Sequence, residues 1–455
     1  MKCSKKKQLE NRLKDLEYVV DREDMITFEQ LGVDYMFVDE AHNFKNLGIN
    51  TKLGQVAGIN TTASKRSEDM LMKIRYLNEI NGGERGVIYA TGTPISNSVV
   101  EMYTMQRYLQ PSYLASKGVQ HFDSWVGNFG KIQTTVELSP TGTSYRAKKR
   151  CSNFNNVPEL QQMFRRCADV KTAETLNLDI PKLKDGKYSI YVTEPSEEQK
   201  EFIFECGERA EEVHLGHVDP SEDNMLKITN DGKMCALDYR LIDENAEDNP
   251  DSKINVAIQN IYNKYKESDD SLGTQIVFLD RSTPDKNKFN LYDDIRNKLV
   301  DMGIPKEEIA FIHEAKNDSQ KLKMFENVNN GKIRIILGST DKMGAGTNIQ
   351  ERLCALHHLD VPWRPSDIEQ REGRILRKGN RNDEVEIFRY VTKGTFDSYS
   401  WQTIETKQKF ISQVMIDNIG GRSVDDVDNA ALSYAEIKTL AVNDPRIKEI
   451  GRAHV

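Results

Sequence analysis

Two adjacent acids, Asp39 and Glu40, close the apolar run Tyr35–Val38 and open the segment DEAHNFKN. One such carboxylate can hold Mg²⁺ through its water shell while the next orients or deprotonates an attacking water, which is what phosphoanhydride hydrolysis requires. Tyr89–Asn97 reads YATGTPISN, with Thr91 and Thr93 flanking a glycine ahead of a proline. Hydroxyls there can sense a phosphate, although a tight turn with threonine caps accounts for the residues equally well. Gly338–Asn348, GSTDKMGAGTN, combines Gly344 and Gly346 with the hydroxyls of Thr340 and Thr347. Glycines permit close backbone approach, and such loops bind phosphate or ribose. In Gln370–Gly379, QREGRILRKG, Arg374 and Arg377 are three apart and are expected on one helix face. Two guanidiniums aimed one way suit the charge of a transferring phosphoryl group, where an arginine finger is worth roughly 10³ to 10⁵ in rate. A solvated basic helix is the plain alternative. Singly these signals are modest, and an acid pair after a strand is common; together they recur in one order at strand ends of two similar halves.

The elements that must carry these residues read as parallel α/β structure. In the first half, Asp34–Asp39 is a predicted buried strand, 68–80 a helix, NGGERG a turn, and VIYATGTP a second strand running into a loop. In the second half, helix 253–267, strand 274–280, helix 290–302, strand 307–313, helix 318–328 and strand 332–339 alternate, followed by CALHHLDVPW, a polar helix over 366–374 and strand 385–391. Strand, helix, strand with loops at the carboxyl ends is the pattern of a parallel sheet, and ligands bind at those ends. YSIYVTEP (188–195) reads as a strand and 395–418 as a helix containing Trp401 and Phe410, while the acidic DENAEDNPDS (243–252) reads as a linker. QLENRLKDLE (8–17) reads as an exposed helix, and the basic YRAKKR (145–150) either follows a phosphate backbone or forms a solvated loop.

At 455 residues the chain is long enough for two to four domains. Hydrophobic residues make up 38% and charged residues 29%, which fits a globular protein and excludes collagenous or low-complexity classes. No run approaches the roughly 18 apolar residues of a membrane span, so no membrane partner and a cytoplasmic location are expected. The six cysteines are scattered with no CxxC pair and read as reduced thiols. His214 and His217 have no nearby ligands to complete a zinc site and read as a helix face. A formal charge of −8 excludes a uniformly basic nucleic-acid coat but leaves room for local basic stripes.

DEAHNFKN (39–46), TGTPISN (91–97), STDKMGAGTN (339–348), DVPWRP (360–365) and QREGRILRKG (370–379) resemble motifs II, III, V, Va and VI of superfamily 2 helicase-type ATPases. The DEAHxxKN and DxxWxP forms are similar to the Snf2-like branch, whose members translocate on duplex DNA more often than they separate strands. The chain also resembles the helicase half of large phage- and conjugative-element proteins that join such an engine to an adenine-specific DNA methyltransferase region. The likeness covers about residues 20–415. It implies two RecA-like parallel-sheet lobes, ATP and Mg²⁺ as cofactors, double-stranded DNA as partner and a methyltransferase region in the same parent chain. It further implies that Asp39 positions Mg²⁺ and Glu40 activates the hydrolytic water. Thr91 and Thr93 would couple nucleotide state to DNA grip, with Thr340 on a DNA phosphate and Trp363 also on the nucleic-acid side. Gly344, Gly346 and Asn348 would lie near the nucleotide, and Gln370, Arg374 and Arg377 would face its phosphates. Arg364 stands where the branch usually has Asn, Leu376 where it has His, and Met343 where a third glycine is common.

A P-loop requires GxxxxGK[ST], and none of the Gly-Lys pairs at 130, 186, 232 and 331 is followed by Ser or Thr. The phosphate cradle is therefore expected outside this sequence, with the first lobe incomplete and the chain alone inactive as an ATPase. Ile450–Val455, IGRAHV, is what a common sequencing-adapter string encodes, so a fragment with an artefactual end is expected. The expected division is 1–115, a partial first lobe; 116–250, a mostly helical insertion and linker; 251–400, a second lobe with motifs IV to VI; and 401–455, a helical extension. Alternative functions are a non-catalytic DNA- or protein-binding platform, and the motor part of a restriction-modification type complex.

Overall fold

The computed structural model describes residues 26–54, 56–57, 59, 61–95, 98–138, 145–171, 178–219, 221–285, 287–343, 348–415 and 423–425. Two compact units divide the chain. The smaller comprises 1–50, 60–94 and 103–121, and the larger 51–59, 95–102 and 122–455. The readings made for 8–17 and 450–455 lie outside the described residues.

In the smaller unit, strand β1 (Met36–Val38) pairs in parallel with β2 (Val87–Tyr89), Phe37 opposite Ile88. Helix α1 (Lys65–Ile80) joins them, started by Ser64, whose side chain accepts the Ser67 N–H. Met70, Ile74 and Leu77 of α1 are buried. Met70 and Ile74 pack with Val38, Ala41, Leu47 and Tyr108 against one face of the strands. The other face is open: Phe37 is 76% and Ile88 52% exposed, with Tyr35 exposed beside them. Parallel sheets are normally covered on both faces.

Next comes an antiparallel hairpin, β3 (Gly130–Leu138) with β4 (Tyr145–Asn155), flanked by short strands Val56–Ala57 and Ser423–Asp425. The region 116–250, expected to be mostly helical, thus contains a long hairpin, and YRAKKR lies in β4 rather than a loop. Alternating β-branched and polar residues in 131–136 favour the extended pairing.

The larger unit is organised on a parallel sheet of seven strands. These are β5 (Lys182–Leu183), β6 (Ser189–Thr193), β7 (Thr274–Phe278), β8 (Ile309–Phe311), β9 (Ile335–Gly338), β10 (Leu353–His358) and β11 (Glu384–Thr392). The order is β5-β11-β10-β7-β9-β8, with β6 also on β11, and every pairing is parallel. The α/β fold class expected from the sequence is what the chain adopts. Strands β7, β9 and β10 are buried along their whole length, the reason they read as continuous apolar runs rather than alternating ones. Val277, Ile335, Leu337 and Tyr390 pack on one face with Ile254 and Ile261 of α4 (Lys253–Glu267) and Ile295 of α5 (Leu291–Asp301). Ile276, Phe278, Ile336 and Leu356 pack on the other with Phe325 and Val328 of α6 (Asp318–Asn329).

Two departures from the sequence reading follow from this sheet. Strands β5 and β6 belong to it, so it recruits residues well before the expected boundary at 251. The acidic stretch 243–252 is not a linker: Asp248 pairs with Arg240 at 3.1 Å and Lys298 at 2.6 Å, and Ser252 caps α4. Asp248 is a partner for the buried Arg240 and the half-buried Lys298, which composition cannot distinguish from a solvated charge. Two helices, α2 (Glu197–Leu215) and α3 (Met225–Leu237), pack through Cys206, Ala210, Ile228 and Ala236 against Phe396, the first residue of the helix Phe396–Met415. Among the described residues no helix is long and apolar enough to cross a membrane.

Candidate functional site

In the smaller unit the acids sit where β1 ends. Pairing continues past the strands, Ala90 N–H donating to Val38 O at 2.8 Å and Ala41 N–H to Ala90 O at 3.0 Å, which sets the DEAH turn beside the TGTP loop. Glu40 takes a left-handed backbone, φ 50° and ψ 45°, a conformation that costs a side-chain-bearing residue roughly 1–2 kcal/mol and is found disproportionately at functional turns. That bend starts the 3-10 turn Ala41–Phe44, in which the Arg66 guanidinium donates to Asn43 O at 2.8 Å and the Tyr108 hydroxyl to Phe44 O at 3.0 Å. His42 Nδ1 lies 3.2 Å from Glu40 Oε2 and 3.0 Å from Thr91 Oγ1, and Thr91 Oγ1 accepts the Thr93 N–H at 3.1 Å. Asp39 Oδ1 accepts the Glu40 N–H at 2.8 Å, leaving an exposed carboxylate at the turn. Asp39, Glu40, Thr91 and Thr93 thus form one continuous polar cluster, joined by His42.

The larger unit carries a second cluster at the carboxyl ends of three adjacent strands. Asp280 follows β7, Thr340 follows β9 and Asp360 follows β10. Asp280 accepts the Thr340 N–H at 2.6 Å and its hydroxyl at 2.9 Å, while Asp360 Oδ2 accepts the Asp280 and Arg281 N–H groups at 2.6 and 3.0 Å. Arg371, on helix α7 (Pro365–Glu372), is fully buried and binds all three. Its guanidinium donates to Asp280 at 2.7 Å, to Asp360 Oδ1 at 3.0 Å and to Thr340 Oγ1 at 2.8 Å. Burial and the neighbouring Asp280 push the Asp360 carboxyl above its ordinary range against the pull of Arg371. Next to it, Glu372 accepts from the Arg389 guanidinium and the Tyr188 hydroxyl, both at 3.0 Å. Burial raises the Glu372 carboxyl, but His358 and Arg389 outweigh it and hold the group below its ordinary range.

The residues expected to act divide unevenly over this framework. The hydroxyl of Thr340, expected on a DNA phosphate, is buried and engaged by Asp280 and Arg371. Gln370 is half-buried on α7. Arg374 and Arg377 do not share a helix face, because α7 ends at Glu372 and both lie in the following turn. Arg371 and Glu372 anchor the helix end in the ion network, and Ile375 in the following turn enters the core. Asn348 is exposed, its carbonyl accepting from Asn329 at 2.9 Å, and Gly344 and Gly346 lie outside the described residues. Trp363 is 37% exposed, with the Lys233 ammonium 3.5 Å from its ring centre.

Sequence reasoning singled out none of Asp280, Asp360, Arg371 and Lys233. The signal for the acids was present, since TQIVFLD and ALHHLD both end an apolar run in Asp. That the two strands are neighbours is a tertiary fact.

Residues 2–172 match a family described as a probable helicase domain, and residues 276–379 match the helicase conserved C-terminal domain. The chain is 24% identical over 516 aligned residues to "Defense against restriction protein B" of Escherichia phage P1, an alignment that takes in 85% of this chain and 23% of that protein. It is 34% identical over 86 residues to "Uncharacterized ATP-dependent helicase YqhH" of Bacillus subtilis (strain 168), across 19% of this chain and 15% of the other. The solved C-terminal part of the Fun30 ATPase domain aligns with a TM-score of 0.40 and 12% identity, over 60% of this chain and 99% of that one. The chain spans less than a quarter of the length of either curated relative. With one helicase match on each side of the 200–275 region, and their motif residues at strand ends of an α/β fold, this is a superfamily 2-like helicase/ATPase protein.

Proposed function

We propose that this chain is part of an ATP-driven translocase on double-stranded DNA, of Snf2-like type, that couples hydrolysis to movement. The observation that carries the reading is the link through His42, within hydrogen-bonding range of both the Glu40 carboxylate and Thr91. A change in the charge or position of Glu40 during water activation is thereby transmitted directly to the TGTP loop. Glu40 is the general base, Thr91 and Thr93 the relay, and Gln370, Arg374 and Arg377 the phosphate-facing residues, with Gly344, Gly346 and Asn348 near the nucleotide. Asp39 is the residue to hold Mg²⁺, which neutralises phosphate charge when bound. A single exposed carboxylate fits that ion, because Mg²⁺ keeps several waters and takes one or two carboxylates plus substrate phosphates. Among the described residues no cluster of three or more metal-ligating side chains offers a protein-only cage.

The phosphate cradle belongs to further polypeptide, and the uncovered face at Phe37 and Ile88 gives such polypeptide an apolar surface to pack on. A partial first lobe, and a second lobe whose sheet begins with β5, in the same parent as a methyltransferase region, are part of this reading. The name of the phage P1 relative favours a second one, a motor that acts in defence against restriction.

DNA-stimulated ATP hydrolysis, measured on this chain and on a longer form carrying a P-loop, tests the proposal. Turnover by the longer form, lost in Glu40→Gln, is expected, with negligible turnover by the chain itself. A longer form that binds DNA without hydrolysing ATP would instead establish the non-catalytic platform. ATPase activity of this chain, abolished by the same substitution, would overturn its expected inactivity.

A further inference from the structure

Lys233 is a buried cation in an unusual setting. It lies on the helix Met225–Leu237, is 6% exposed, and takes no hydrogen bond or ion pair among the described residues. Its ammonium lies instead over the Trp363 ring, 3.5 Å from the centroid. A lysine is seldom buried without a carboxylate, so the surroundings matter.

The helix is held tightly in this position. Gly232 abuts the Phe396 ring so closely that a Cβ would collide with it, and the Thr392 hydroxyl donates to Ala236 O at 3.0 Å. The charged groups facing Lys233 come from three other elements: Arg281 after β7, Asp360 after β10, and Asp397 and Lys407 on the helix Phe396–Met415. Neither carboxylate is free. Asp397 is paired with Lys253 and Asp360 with Arg371, while Arg281 donates to Asn230 at 3.2 Å. Burial and the Arg281 and Lys407 cations oppose the charge on Lys233, and Asp397 and Asp360 favour it without outweighing burial. The indole face favours that charge, since a ring quadrupole attracts a desolvated ammonium.

We propose that Lys233 is a positioning residue for Trp363, gripping the indole when its amine is protonated and releasing it when neutral, so that the Trp363 loop responds to protons. Burial first, then Arg281, lowers the ammonium from its ordinary value to about 7, which places the change near neutrality. The inference rests on the proposed function, since the helicase resemblance puts Trp363 on the nucleic-acid side, but its test needs neither ATP nor DNA.

Tryptophan fluorescence of the full chain is titrated from pH 6 to 9, alongside Trp363→Phe, and the difference isolates Trp363 from Trp125 and Trp401. A single transition near pH 7 is expected in the difference signal. It should vanish in Lys233→Met, while Lys233→Arg, a permanent cation, should hold the low-pH signal across the range. A merely structural role for Lys233 would leave the pH dependence in place. The proposal is overturned if the transition persists in Lys233→Met, or if the difference signal does not change with pH. Circular dichroism melting of each variant identifies loss of folding, and should Lys233→Met fail to fold, the Lys233→Arg titration decides alone. Loss of DNA stimulation with this transition intact would count against the motor reading and not against the positioning one.

Discussion

The two sheets of this protein are built from similar strands and end differently. β1 and β2 form a parallel pair with α1 on one face and Phe37 and Ile88 bare on the other. The seven-stranded sheet of the larger unit has helices against both faces and a separate apolar core on each. A pair of strands is marginal by itself, whereas several strands covered on both faces sustain themselves. The polar chemistry differs accordingly. In the smaller unit Asp39 is exposed and Glu40 half-buried at a strained turn, and His42 links Glu40 to Thr91. In the larger unit Asp360 is buried and Asp280 half-buried, and both are locked by Arg371. The first arrangement leaves groups available to a ligand, and the second fixes the geometry of the loops around it.

Removing Arg371 gives the sharpest contrast. Arg371→Ala leaves the buried Asp360 facing the half-buried Asp280 with no counter-charge, and removing one partner of such a network costs roughly 3–5 kcal/mol. Denaturant unfolding should show that loss in the larger unit's transition, while amide exchange in β1 and β2 stays as in the parent chain. The equivalent strike on the smaller unit's covered face, Ile74→Ala, is expected to cost about 2–5 kcal/mol and to accelerate exchange in β1 and β2 without moving the larger transition. If both units responded to either substitution, the two would be one cooperative body and the comparison would fail.

A weaker effect follows from two histidines in β10. His357 Nε2 lies 3.0 Å from Gln275 Oε1, and Gln275 is oriented by donating its amide to Ile261 O at 2.9 Å. Nε2 therefore carries the proton, and Nδ1 accepts from the Tyr390 hydroxyl at 2.9 Å. Burial pushes His357 down to about 3 and His358 down to about 4. The unfolded chain titrates these groups near pH 6.5 and so binds more protons below that value. Their contribution is complete above pH 6.5 and is lost as pH falls toward 4 and then 3. Urea midpoints at pH 7.5, 5.5 and 4.5 should fall in the larger unit, and His357→Gln should make that fall shallower.

The smallest change is expected on the bare face. Phe37→Ser should alter stability by no more than about 0.5 kcal/mol, as exposed substitutions do, yet reduce self-association in analytical ultracentrifugation. A loss comparable to that of Ile74→Ala would mean that something already covers Phe37.

Much of the frame is legible in the amino-acid sequence. Apolar runs of strand length ending in acids point to β1 and β7, and helical spacing to α1 and α4 to within a few residues. DEAH and TGTP are each readable as a strand end, because local pattern reports burial and direction. What the sequence could not convey is which strand ends are neighbours. Asp280, Thr340, Asp360 and Arg371 come from segments up to 91 residues apart, and only the strand order β10-β7-β9 makes them one cluster. The same holds for Lys233 and Trp363, and for the turn that takes Arg374 and Arg377 off the helix. Residue types and periodicity determined the chemistry at hand and the class of fold. Contacts between distant segments decided which charges are buried, which are paired and which remain open to a ligand, since desolvation and Coulomb attraction depend on distance in space and not along the chain.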